Sequence, residues 1–257
     1  MLIVNVSINN SEAVKSLKIG QHLFLNIFSF IPTIILVFWF RRFIDKRSIM
    51  SIGFPSKNIC MKLLSGFAAA LVIIGTGTIL IMLFSPTRLI ISHLNQNDIL
   101  LCFFLFLIVS LNEELLFRGY ILNNLMFSGG KYKALVLSSI IFALFHLFNF
   151  NLTYIAIINL FLSGMLLGST YIFTQNIWFP VSLHLFWNFI QGPVFGYAVS
   201  GQKLPSIFEL TPSGKNYLHG GEFGFEGSLI CTILVLITIL CIIAYYSKIS
   251  RCRDDCI

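Results

Sequence analysis

The sequence predicts an all-α fold: a polytopic transmembrane helical bundle of about seven to eight spans with a polar intramembrane cavity. Three observations predict it: the composition, the long apolar runs, and the few ionisable residues inside those runs. The chain has 257 residues, of which 57% are hydrophobic and 11% charged. A soluble domain averages about 45–50% apolar and about 25% charged. So little charge cannot wet a globule of this size, and 27 phenylalanines exceed what one soluble core would hide. A soluble enzyme, a disordered tail and a disulfide-stapled secreted domain are excluded.

A membrane helix needs about 20 mostly apolar residues. Seven runs qualify: 22–40, 63–84, 99–127, 134–150, 154–174, 178–199 and 229–246. The third is long, and its C-terminal part reads either as span or as a separate interfacial turn. No linker, composition shift or internal repeat divides the chain, so residues 1–257 are expected to form a single membrane-embedded domain. The first twenty residues lack the pattern of a cleaved signal peptide.

Orientation follows from the bases in alternate connections. One side collects Arg41, Arg42, Lys46, Arg47, Lys57, Lys62, Arg118, Lys131, Lys133, Lys248, Arg251 and Arg253. The other collects Lys15, Lys18, Arg88, Lys203 and Lys215. The asymmetry predicts a cytoplasmic C-terminus. Scattered in this way, the net charge of +7 offers no nucleic-acid surface. The segment 41–62 interleaves bases with Phe43, Ile44, Ile49, Met50, Ile52 and Phe54, and reads either as a helix on anionic lipid or as a basic loop. Gly164 and Gly168, four apart, would let a neighbouring helix approach closely. The cysteines Cys60, Cys102, Cys231, Cys241, Cys252 and Cys256 form no CxxC pair, so no structural zinc site is read from them.

Burying a charge at mid-bilayer costs at least about 2.5–3.5 kcal/mol on insertion scales. Glu113, Glu114 and Arg118 nevertheless fall inside the third run, joined by His146 in the fourth and His184 in the sixth. Glu114 and Arg118 share a helix face, acid first, and can neutralise each other. Glu113 is rotated by about 100° and has no such partner in its own helix, which makes it the better general-base candidate. The structural alternative is that both acids only accept from Arg118 and lock packing. His146 shares a face with Phe142, and His184 with Asn188. The latter pair could donate to an oxyanion or simply bond helix to helix. Helical rise places Glu113, His146 and His184 within reach of a common layer. Zinc held by Glu113, His146 and His184 is chemically possible, but there is no HExxH, and a metal-free site that needs no cofactor is the preferred reading. His219, Glu222 and Glu226 lie in a glycine-rich loop that could bind a cation or merely touch the bundle. Residues 191–201 read as a broken helix near the site or as a frayed end. His22 and His93 sit at span edges and need no role.

Three motifs stand in order here: Glu113-Glu114-Leu-Leu-Phe-Arg118, Phe142-Ala-Leu-Phe-His146 and His184-Leu-Phe-Trp-Asn188. Together they resemble the EExxxR, FxxxH and HxxxN/D signature of the CPBP family of intramembrane proteases, the CAAX protease and bacteriocin-processing (Abi) family. The family includes the type II CAAX prenyl endopeptidases. The resemblance covers about residues 99–201. It implies an intramembrane endopeptidase, often labelled a metalloprotease, with a cavity open to cytosol and bilayer. Glu113 and His146 would activate water, His184 and Asn188 would form the oxyanion hole, and Glu114, Arg118 and Phe142 would support them. It further implies contact with membrane lipids, a peptide or membrane-protein substrate of CAAX-like or bacteriocin type, and a place in a bacterial cytoplasmic membrane. A non-catalytic immunity or scaffold protein, or a transporter or proton relay, would share the buried charges. The transporter should also show repeat symmetry.

Overall fold

The computed structural model describes residues 17–54, 58–92, 95–212 and 216–254. Lys15, Lys57, His93, Lys215 and Cys256 lie outside the described residues, as do the side chains of Arg251, Cys252 and Arg253. The apolar runs become helices α1 (Ile19–Ile44), α2 (Ile59–Phe84) and α3 (Gln96–Gly129). They continue as α4 (Lys131–Phe145), α5 (Tyr154–Thr174), α6 (Trp178–Phe189) and α7 (Leu229–Asp254). The chain is thus the all-α bundle expected. Five of these helices are long and apolar enough to cross a membrane, α4 and α6 being shorter.

The short helices have local causes. In α4, Phe145 is the last helical residue and His146 leaves αR geometry, so the run read as 134–150 ends early. In α6 the side chain of Asn176 accepts from the Trp178 amide at 2.8 Å. Pro180 sits in the first turn, where its missing N–H is not needed. The helix continues as a wide π turn, Ile190–Val194, containing Pro193. It then breaks at Gly196, and Tyr197 and Val199 fold back into the bundle. Of the two readings of 191–201, the broken helix is the one observed. α3 runs through without a separate terminal turn, but widens into a π turn over Leu115–Leu122. Such turns are frequent at functional sites.

Polarity is distributed as lipid demands. Phe24, Phe28, Leu83 and Phe84 are exposed, while Asn112, Glu113, Glu114, Arg118, Ser139, His146 and Asn159 are buried. α1 packs on α3, α3 on α6, α2 on α6, α4 on α5 and α5 on α7. At one end the Ile177 amide donates to Gly53 O (2.8 Å) and the Tyr171 hydroxyl to Ile52 O (2.7 Å). Here the segment after α1 is not one surface helix. It is a hook whose Arg41 is fully buried and donates to Ser51, Asn123 and Asn124. Phe43 and Met50 point outward and Ile52 inward. Arg118 does not join the bases at this end, because it lies inside the bundle. At the other end β1 (Thr87–Ile91) pairs antiparallel with β2 (Phe208–Pro212), Leu89 opposite Leu210. The Gly201 amide donates to Phe223 O at 3.1 Å. Gly201 has φ +83°, and any Cβ there would collide with Phe150 O.

Gly164 and Gly168 do admit a neighbour. A Cβ on Gly164 would stand 2.9 Å from Ser139 Cα of α4. Backbone cannot swing aside, so Gly164→Ala should cost about 1–3 kcal/mol. Gly75, also helical but with nothing within 4 Å, should tolerate alanine with neutral or slightly raised stability. Thermal midpoints of the two variants in detergent check this contrast.

Candidate active site

α3 delivers the two acids on successive positions. Glu114 Oε1 accepts from Arg118 Nη1 at 2.8 Å, the (i, i+4) ion pair read from spacing. The same oxygen lies 2.8 Å from His184 Nδ1 of α6. Arg118 Nη2 donates to Gly164 O of α5 at 3.3 Å, and its guanidinium lies 4.6 Å from the Phe142 ring centroid. One arginine, fully enclosed, is therefore satisfied by a carboxylate, a carbonyl and an aromatic face.

Glu113 points elsewhere. Its Oε2 lies 3.6 Å from His146 Nε2 and 3.9 Å from His184 Nε2. Both separations exceed a hydrogen bond, the range in which an interposed water is to be asked about. His146 is held by its other nitrogen: Nδ1 lies 2.7 Å from Phe142 O, one turn back, and its ring stacks at a tilt on Phe142 with centroids 4.4 Å apart. A carbonyl only accepts, so Nδ1 carries the proton and the neutral ring turns a lone pair towards Glu113. The residues predicted from the sequence thus converge: Glu113 from α3, His146 from the end of α4 and His184 from α6.

His146, His184 and Asn188 line one cavity of ≈ 30 Å³, walled by Phe142, Leu160 and Leu183. Space for a water begins at about 10–15 Å³. Ser163, Ser200 and Glu226 also line it, and sequence reading missed all three as site residues. Ser163 and Ser200 carry no signal, and Glu226 was grouped with His219 and Glu222 as a loop. That grouping is split in the structure: Glu226 faces the cavity, while His219 and Glu222 line a separate outer cleft.

The donors Glu113 Oε2, His146 Nε2 and His184 Nε2 are of the kind zinc uses. A tetrahedral ion with bonds of about 2.0–2.1 Å holds its ligand atoms about 3.3 Å apart, closer than the separations found. Among the described residues no three His, Cys, Asp or Glu side chains gather so as to hold a metal.

A helical membrane protein that encloses carboxylates, imidazoles and an amide around a water-sized cavity belongs to the hydrolytic intramembrane class by its architecture. Residues 95–190 match the family model described as type II CAAX prenyl endopeptidase Rce1-like. The family recognised from the three motifs is therefore the one matched, and over that segment the chain is similar to a family of proteases. The match takes in Glu113, Glu114, Arg118, Phe142, His146, His184 and Asn188. Comparison with curated proteins and with solved structures returns no match.

Removing one partner of a buried pair strands the other charge, at about 3–5 kcal/mol. Arg118→Met should accordingly destabilise the protein by that order. The double variant Glu114→Gln/Arg118→Met should recover much of the loss. A double-mutant cycle on unfolding in detergent measures the coupling, and simple additivity would contradict it.

Proposed function

We propose that the protein is an intramembrane endopeptidase that hydrolyses a peptide bond of a membrane-associated peptide or protein. In this reading water is activated by Glu113 and His146, and the oxyanion is held by His184 and Asn188. The observation that carries it is the meeting of Glu113 and two histidines from three helices beside a water-sized cavity.

Two acceptors 3.6 Å apart are best reconciled by a donor between them, and a water there can give one proton to each. Glu113 takes the proton as the water oxygen attacks the carbonyl carbon, and His146 orients the water. His184 holds Glu114 through Nδ1. When also protonated on Nε2, it joins the Asn188 amide in donating to the oxygen that becomes negative. Collapse of the tetrahedral intermediate breaks the C–N bond, and the proton taken by Glu113 leaves on the amine. No step runs through a metal. Glu114 and Arg118 keep the geometry. The substrate class is a peptide or membrane protein of CAAX-like or bacteriocin type. The hook 41–54 and the C-terminus face the cytoplasm of a bacterial cytoplasmic membrane.

Glu113→Gln and His146→Ala should each fold in normal yield and lower peptide cleavage by about 10²–10⁴. Two folded variants that cleave at the wild-type rate would remove the reading. Asn188→Ala should lower kcat by about 10²–10³ with KM little changed. Cleavage should persist after exhaustive chelation, and loss restored by added zinc would contradict the metal-free mechanism. In whole cells, a cysteine placed at Lys131 should be labelled only after the membrane is permeabilised.

A further inference from the structure

Glu226 is a carboxylate that this mechanism does not use. It sits in Phe225–Gly227, the second of two short 3-10 turns before α7, and is only 6% exposed. Its Oε1 accepts from Trp187 Nε1 at 3.0 Å. Its Oε2 accepts from the Ser200 amide and hydroxyl, each at 3.0 Å. The turn itself is fixed, because Asn159 Nδ2 of α5 donates to Glu226 O and Ser228 O at 2.7 and 2.8 Å. Thr232 of α7 in turn donates to Asn159 Oδ1 at 2.7 Å.

All three donors to the carboxylate are neutral, and no cationic side chain of the described residues is among its hydrogen-bond partners. The side chain lines the same cavity as His146, His184 and Asn188, into which no lysine or arginine projects. Ser163 also lines that cavity, and its buried hydroxyl finds no hydrogen-bond partner among the described residues. Three acids, Glu113, Glu114 and Glu226, stand here against Arg118 alone, and low-dielectric walls concentrate such a field. A carboxylate offers about four acceptor positions. With three occupied, one remains, which suits a single N–H of an ammonium rather than the two-pronged guanidinium. The Trp187 indole beside it adds an aromatic face for a cation.

We propose that Glu226 is a specificity-determining residue that receives an alkylammonium group of the substrate, either a lysine side chain or a free amino terminus. Its placement next to the scissile bond rests on the protease reading above, whereas binding of the ammonium does not.

The test uses the purified full chain in detergent and three probes. N-acetyl-lysine amide carries only the side-chain ammonium, norleucine amide only the α-ammonium, and N-acetyl-norleucine amide neither. Glu226→Gln alone would turn an amide NH₂ against either Trp187 Nε1–H or the Ser200 N–H and could fail to fold. Trp187→Phe/Glu226→Gln removes that conflict, and Trp187→Phe is its charged control. At least one ammonium probe should raise the thermal midpoint by about 2–4 °C over the neutral probe. The excess should survive in Trp187→Phe and vanish in the double variant. Which probe binds identifies the source of the ammonium. Equal shifts from all three probes, or an excess retained by the double variant, would overturn the proposal. In cleavage assays, peptides that differ only in the matching ammonium should differ about tenfold in kcat/KM for wild type and not for the double variant. Wild type that cleaves both alike overturns the proposal. Wild type that binds the probe but cleaves nothing overturns the protease reading and leaves the ammonium site standing.

Discussion

Glu114 Oε1 accepts from Arg118 within α3 and from His184 on α6. Arg118 then reaches Gly164 O on α5, and Gly164 is the point where α5 lies against Ser139 of α4. Four helices are thus referred to one carboxylate oxygen. A charge this deep must be paired and hydrogen-bonded or it expels the segment that carries it. The pairing therefore does more than neutralise. It sets the rotation of α3, and with it the direction of Glu113, which is left pointing at the two imidazoles.

The rest of the architecture holds that arrangement dry on its sides and shuts it at one end. Apolar side chains face outward along the helices, and the polar atoms face in. Where α6 breaks, the segment carrying Tyr197, Ser200 and Gly201 folds back over the cavity, and the turns before α7 fold against it. Backbone comes closest there at Gly201 and Gly224, both at positive φ with carbonyl oxygens where a Cβ would sit. The glycine-rich segments form the floor of the site and place Glu226 and Ser200 on its wall.

The helical class was legible from apolar length alone, and the central cluster from its anomaly. Glu113, Glu114 and Arg118 stand out because a charge inside an apolar run needs a reason, and His146, His184 and Asn188 follow at helical spacing. Glu226 was not legible: an acid among glycines before a helix is ordinary, and its burial arises from contacts with Asn159 and Trp187, 67 and 39 residues away. The β1–β2 pair joins segments roughly as far apart as Arg88 and Thr211, with no local signal. Arg41 reads as a membrane-edge base, yet it is buried by Asn123 and Asn124 from α3, a partnership no local pattern announces. The lengths of α4 and α6 depend on where the chain must turn to deliver His146 and to close the cavity.

The central claim is that Glu113 and His146 hold a water between them. A high-resolution density map of the protein in lipid tests it most directly. The account predicts a water within about 3 Å of both Glu113 Oε2 and His146 Nε2. A metal ion bonded to Glu113, His146 and His184, or direct contact between Glu113 and His146 with no water between, would contradict it.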